Sequence, residues 1–329
     1  MSRKLTVAIV GATGATGGSI ARVLLSDQDQ FEVILLARAA SLNKPELTAL
    51  KELGAAVRAV DLDGPIDHVA KVLAGTDVVV SGMTLQQMPQ ELNLASAAKQ
   101  ASVGRFVTSF FAPVCPPGGV TFMREKKEEI LNHIKKLYLP YTAVDVGWWY
   151  QMTIPRPLTQ PADPKAFVQP MPIVDEGNVR IALTDKRDIA PFVARIIADE
   201  RTLNHLVFVY GEVKTTTEAW SEAEAISGVS AEKKYASIDC HSHRLSVPEA
   251  SLLETIEKNP GVLTMETGMA QYFYSLAVRG DNTPENAKYL GYLDARELYP
   301  DLQPRSWRDY VMDLEAGQIP TPYPDRKYC

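Results

Sequence analysis

The feature that most constrains this chain is a glycine-rich turn, Gly11-Ala12-Thr13-Gly14-Ala15-Thr16-Gly17-Gly18. It lies directly after an apolar, strand-like run (residues 5–10) and before a helix-length segment. Glycine lacks a Cβ, so such a turn bends sharply, lets a ligand approach the backbone and lets the next helix pack closely on a sheet. A helix starting there aims unpaired N–H groups and its positive dipole end at the turn, which suits a phosphate. The spacing is Gly-x-x-Gly-x-x-Gly, not the Gly-x-Gly-x-x-Gly of the standard dinucleotide turn. Alone, the pattern says little. Its surroundings give it weight, because five more short apolar runs follow at 31–37, 56–60, 77–80, 105–108 and 141–144. Helix-length segments at 19–26, 45–53 and 89–101 lie between them. This alternation predicts an α/β fold, a doubly wound parallel sheet of Rossmann type with right-handed crossovers. Gly11, Thr13, Gly14, Ala15, Thr16 and Gly17 then form the predicted pyrophosphate cradle.

The end of the second strand bears on the cofactor. A site for NAD usually carries Asp or Glu there, to hold the ribose 2′-hydroxyl. This chain has Arg38, with Ser41 and Lys44 following. A guanidinium can pair bidentately with a 2′-phosphate, and no carboxylate opposes it. NADP(H) is the predicted cofactor. Asp61 after the third strand, and Gly82 and Met83 after the fourth, stand where an adenosine would lie, although ordinary loop residues would look the same.

Beyond residue 146 the character changes. Prolines at 155, 157, 161, 164, 170 and 172 mark a stretch read as mostly loop. Helical patterns at 188–199, from Thr216 or Thr217, and at 248–258, 264–278 and 306–316 follow, with one strand at 206–210. The expected organisation is a cofactor-binding domain over 1–150 and a smaller α+β substrate-binding cap over 151–329, interleaved with it. The net charge of −6 and the absence of a basic stripe argue against nucleic acid as a partner. No apolar run approaches the roughly 20 residues that span a bilayer, and the N-terminal run is too short for a signal peptide. Three separated cysteines (Cys115, Cys240, Cys329) are no disulfide framework. A cytoplasmic monomer or homodimer is expected.

The segment 122–138 is charged yet amphipathic. At about 100° per residue, Ile130, Leu131, Ile134 and Leu137 make one stripe, with Lys127 near its centre and Lys126 about 80° off. A lysine aimed into a cofactor cleft can orient the nicotinamide ribose and donate a proton. A stem snorkelling over apolar surface would give the same pattern. His133 is read as exposed. Met123 stands four residues before Lys127, where the better-known short-chain dehydrogenases carry a catalytic tyrosine. A phenolic acid is thereby excluded at that place, with Tyr141 and Tyr150 as substitutes.

At this point the residues resemble the NmrA-like, isoflavone-reductase-like family of atypical short-chain dehydrogenases. The resemblance rests on Gly11, Gly14 and Gly17, on Arg38 with Lys44, and on Gln90 ahead of Arg105-Phe106. It rests also on Lys127 and Ile130 ahead of Leu139-Pro140-Tyr141-Thr142. It implies an NADPH-dependent reductase of a small aromatic, polyketide-like or conjugated metabolite of secondary metabolism, an enone, quinone or ketone. Other members are non-catalytic, redox-sensing regulators that bind NADP and act through a protein partner, and this is the alternative. The resemblance places Gln90 beside the cofactor. The chain departs from the plant reductases after the fifth strand, where their Pro-Ser-Glu-Phe-Gly becomes Thr108-Ser109-Phe110-Phe111-Ala112 and the Glu is lost. Retention of Lys127 and Ser109, read as the catalytic pair, favours an enzyme.

Phe110, Phe111, Trp148, Trp149 and Tyr150 follow strands five and six, and such a set would stack a flat apolar substrate. Packing of the cap reads the same way. Tyr272, Phe273, Tyr274, Tyr289 and Tyr292 could close as a lid. Cys240-His241-Ser242-His243 lacks the partners to complete a ligand set, so no metal is expected. Asp185, Arg187 and Asp188 read as a helix cap and its pairing.

Overall fold

The computed structural model describes residues 3–161, 168, 170–233, 235–236 and 265–320. Its internal packing divides the chain into two units. The first comprises Met1–Phe111, Met123–Asp145 and Ile189–Val207, and the second Ala112–Phe122, Val146–Asp188 and Phe208–Cys329.

The first unit holds β1 (Leu5–Val10), α1 (Ala15–Leu25), β2 (Phe31–Ala37), α2 (Pro45–Glu52), β3 (Ala56–Ala59), α3 (Ile66–Val72), β4 (Val78–Ser81), α4 (Met88–Gln100), β5 (Arg105–Thr108), α5 (Phe122–Lys136) and β6 (Tyr141–Val146). The strands lie in the order β6-β5-β4-β1-β2-β3 and run parallel, with Val7 opposite both Val33 and Val78. From β1 the chain winds first toward β3 and then, through β4, toward β6. The order therefore reverses between β1 and β4, which opens a crevice over their carboxyl ends. The glycine turn lies at that place. β1, β4 and β5 are nearly wholly buried, as an apolar strand covered on both faces must be. One face is covered by α3, α4 and α5, through residues such as Val69, Leu94, Ile130, Leu131 and Ile134.

The sequence pattern places the first helix at 19–26; the structure starts it at Ala15. Glycine is a poor helix former, so Gly17 and Gly18 mask the first turn from any propensity reading. They are there for space. A Cβ on Gly17 would lie 2.5 Å from the Gly11 carbonyl oxygen, and one on Gly18 would lie 2.8 Å from that of Ala12. The remaining first-unit segment is tied to β5 by Arg105. Its buried guanidinium donates to the carbonyls of Ile196 (2.5 Å) and Asp199 (2.8 Å) and to Thr202 Oγ1 (2.9 Å). A cation is well placed there, because those carbonyls form the negative end of the helix Lys186–Ala198.

The second unit has its own core, in which Trp148, Tyr150, Leu183, Trp220, Trp307 and Tyr310 are buried together. A three-stranded sheet orders Glu212–Thr215, Arg180–Thr184 and Trp148–Trp149. Short elements flank the stretch read as loop from its prolines: a strand at Trp148–Trp149 and a helical turn at Tyr150–Thr153 before it, and a strand at Ile173–Val174 after it. These pieces are too short for periodicity to reveal. Capping boxes start the helices Thr216–Ser227 (Thr215 with Glu218) and Trp307–Glu315 (Ser306 with Asp309). The pattern at 264–278 resolves into the helix Met265–Phe273 and a wider π-type turn, Tyr274–Arg279, ended by Gly280 at φ +68°. The helix expected at 248–258 and the Cys240–His243 cluster lie outside the described residues. Among the described residues no helix is long and apolar enough to cross a membrane.

Gly17→Ala should cost about 1–3 kcal/mol, because the new methyl meets backbone on a neighbouring turn and not a side chain that can swing away. Urea unfolding checks this; an unchanged midpoint would show slack in that corner.

Candidate active site

Three glycines converge on the crevice. Gly11 has φ +83°, and a Cβ there would lie 2.5 Å from the Gly82 carbonyl oxygen; one on Gly82 would meet the Val10 carbonyl at 3.0 Å and Gly17 Cα at 3.4 Å. Gly82, expected beside the adenosine, is thus a packing partner of the turn. Gly14 is the extended N-cap of α1 and supplies no side-chain acceptor. The first-turn amides, with Ala15 exposed and Thr13 and Thr16 half-buried around them, are capped by no side chain among the described residues.

Arg38 and Lys44 are exposed after β2, and among the described residues neither is paired with a carboxylate. Asp61 is a turn residue whose carboxylate accepts from Asp63 N (3.1 Å). Gln90 Nε2 donates to Asp63 (2.8 Å), so Gln90 braces the loop after β3 against α4.

Lys127 is half-buried on the inner face of α5, and its ammonium donates to the backbone carbonyls of Ser109 and of Phe110, the latter at 2.7 Å. An ammonium has three donors, so one remains. Burial lowers the Lys127 pKa to about 8 against the raising influence of Glu91 and Asp145, while Arg124 lowers it further. The carbonyls are presented by a turn that is itself held. Ser109 N and Thr108 Oγ1 donate to Glu91 Oε1 at 2.8 and 2.9 Å, and Ser109 Oγ donates to the Met83 carbonyl at 2.5 Å. Ser109 was read as catalytic together with Lys127. Its hydroxyl proton is instead committed to Met83 in a buried setting, so Ser109 shapes the turn. Met83 is likewise buried.

Beneath this turn lies a buried ion pair, Arg124 Nη1 to Asp145 Oδ2 at 2.7 Å, with Glu128 Oε1 at 3.3 Å from Arg124 Nε. The Arg124 guanidinium stands 4.9 Å from the Phe110 ring centre, a cation–π contact. Phe110, expected to stack substrate, is 1% exposed and belongs to this core. Phe111 is half-buried with φ +35°, a backbone that side-chain-bearing residues rarely adopt, and its N–H donates to the Val144 carbonyl at 2.7 Å. Lys126 pairs with Glu129 at 2.6 Å, away from this network. His133 is half-buried against Ser96 Oγ (3.0 Å), not exposed, because α4 covers that flank of α5.

In the second unit Trp148 and Tyr150 are core residues, enclosed by Tyr272 and Phe273 and by Trp307 and Tyr310 respectively. The Tyr150 hydroxyl donates to the Arg305 carbonyl (3.2 Å), and burial pushes its pKa upward, which unsuits it as a proton donor. Trp149 alone of the three is half-buried. Tyr141 is also buried with a raised pKa. Tyr289 is 84% exposed and Tyr292 is buried, so these tyrosines share no common face. Asp185 Oδ1 caps its helix by accepting from Arg187 N (2.9 Å), as read, while Asp188 pairs with Arg305.

Glu91, Arg124 and Asp145 were not singled out from the sequence. A signal for Glu91 exists: it is a charge three, four and seven residues from the buried Leu94, Ala95 and Ala98, on the inner face of α4.

A model of the NmrA-like family matches residues 3–311. Asnovolin J 5′,6′-dehydrogenase of Aspergillus novofumigatus is 42% identical over 95% of this chain and 96% of its own. Phenylcoumaran benzylic ether reductase TP7 of Nicotiana tabacum is 26% identical over 94% of this chain and 99% of its own. Among solved structures, AtPrR2 with NADP+ and (+)pinoresinol superposes with a TM-score of 0.75 at 24% identity, covering 95% of this chain and all of that one (100%). The leucoanthocyanidin reductase–NADPH complex from Vitis vinifera gives 0.75 at 20% identity, covering 94% and 99%.

Competitive acetylation read by mass spectrometry should give Lys127 a midpoint near 8, well below the roughly 10.4 of an ordinary exposed lysine. A midpoint in the ordinary range would show that the ammonium is not desolvated.

Proposed function

The chain belongs to the NmrA-like family, and on that footing we propose that it is an NADP(H)-dependent oxidoreductase of a small aromatic or conjugated metabolite, with Lys127 as its proton donor. Relatives along nearly the whole chain are dehydrogenases and reductases, and two of the similar solved structures are complexes with NADP+ or NADPH. The residues present fit that dinucleotide: among the described residues no side chain fills the glycine turn or caps the helix start, and no carboxylate opposes Arg38 and Lys44. The α1 amides would hold its pyrophosphate, and Arg38 with Lys44 would hold the 2′-phosphate. When bound, the dinucleotide supplies hydride chemistry.

The observation that carries the reading is the seating of Lys127. Two backbone carbonyls fix its ammonium, burial lowers its proton affinity, and one N–H is left to give. A donor with a pKa near the working pH combines a well-populated acid form with a favourable proton transfer. The same group in its amine form would accept the proton in the reverse direction, which suits the 42% identical relative, a dehydrogenase. Phe111 remains the first unit's aromatic candidate for meeting the substrate, since Phe110 is enclosed.

Arg38→Ala should weaken NADP(H) binding on the order of 10–100-fold and leave NAD(H) binding unchanged, as loss of one charge-assisted contact implies. Calorimetric titration decides it, and equal losses for both would remove Arg38 from the 2′-phosphate.

With NADPH and a panel of enones and quinones, Lys127→Ala should lower kcat by roughly 10²–10⁴, whereas Lys126→Ala should not. Because reduction needs the ammonium, wild-type turnover should fall as pH rises through about 8, and dehydrogenation should rise over the same interval. Full turnover by Lys127→Ala would refute the donor role. No turnover with any substrate, together with NADP-dependent capture of a protein partner, would favour the regulator.

A further inference from the structure

Glu91 is a carboxylate on a helix face that is otherwise apolar, and only 2% of it is exposed. Removing a carboxylate from water costs several kcal/mol unless hydrogen bonds and a counter-charge offset it. Both offsets are present. Thr108 Oγ1 and Ser109 N donate to Oε1, and Lys127 is the cation that faces it. The charged groups facing Lys127 are Glu91 from α4, Asp145 from β6 and Arg124 from its own helix. Asp145 is already matched by Arg124 at 2.7 Å. Among the described residues no arginine pairs with Glu91, so its negative charge falls to Lys127.

We propose that Glu91 is the positioning residue for Lys127, holding the Thr108–Ser109 backbone that presents the two acceptor carbonyls and supplying the counter-charge that keeps the ammonium protonated. The two roles use one carboxylate. The backbone role needs an oxygen acceptor at this place, and the electrostatic role needs its charge. The catalytic consequence rests on the reading of Lys127 as proton donor, whereas the pairing itself does not.

Glu91→Gln separates the roles, since an amide oxygen still accepts from Thr108 and Ser109 while the charge is gone. Competitive acetylation, with neither cofactor nor substrate, should place the Lys127 midpoint about one pH unit below wild type. Glu91→Asp keeps the charge and should leave the midpoint closer to wild type. The alkaline limb of reductive turnover in Glu91→Gln should move down by the same interval as the labelling midpoint. An unmoved midpoint would overturn the proposal. A midpoint that moves while the turnover limb stays put would sustain the pairing and refute Lys127 as the donor. Should the amide variant fold poorly, the wild-type Ser109 amide proton gives the answer. Donation to an ionised carboxylate keeps its resonance far downfield from mildly acidic to mildly alkaline pH, and loss of that shift at neutral pH would overturn the proposal.

Discussion

The first unit is organised around one close backbone approach, where the turn after β1, the start of α1 and the loop after β4 meet at Gly11, Gly17 and Gly82. Any side chain at these points meets main-chain atoms, which cannot yield as a rotamer can. The approach lets α1 begin immediately at the sheet edge with its first amides pointing over the crevice. It also sets β4 beside β1, which creates the reversal of strand order on which the crevice depends. Arg38 follows directly on the carboxyl end of the neighbouring β2.

The second organising interaction is the disposal of charge beneath the loop after β5. Four ionisable groups, Glu91, Arg124, Lys127 and Asp145, are drawn from α4, α5 and β6 into a largely apolar setting. Arg124 and Asp145 neutralise one another. Glu91 and Lys127 are bridged less directly, through the backbone of Ser109, whose N–H points to the carboxylate and whose carbonyl receives the ammonium. A lysine so held keeps its geometry by main-chain contacts and its proton by a charge at longer range. Such an arrangement fixes position while leaving proton affinity adjustable, which a direct, fully buried salt bridge would not.

The corrections share one cause. Phe110, Trp148 and Tyr150 were read as facing a ligand because they follow strand ends, where an α/β protein keeps its chemistry, and Ser109, beside Phe110, was read as catalytic. Strand-end position does not specify which way a side chain turns. Phe110 turns inward under Arg124, Ser109 donates to Met83, and the two second-unit aromatics complete a core of tryptophans and tyrosines. His133 shows the same limit on a helix, since α4 flanks α5 and covers a face that the apolar stripe alone leaves open.

The sequence by itself determined the alternation of β1 to β6 with their helices, the glycine corner, Arg38 without a carboxylate rival, and the inward placement of Lys127. These depend on period, on residues with special backbone freedom and on charge, all of which are local. It did not determine Glu91, Arg124 and Asp145, whose meaning arises only when α4, α5 and β6 are brought side by side. A single charge within an amphipathic pattern carries no record of its partner. Only the tertiary structure, by enclosing those charges together where each must be matched, decided which carboxylate belongs to the lysine.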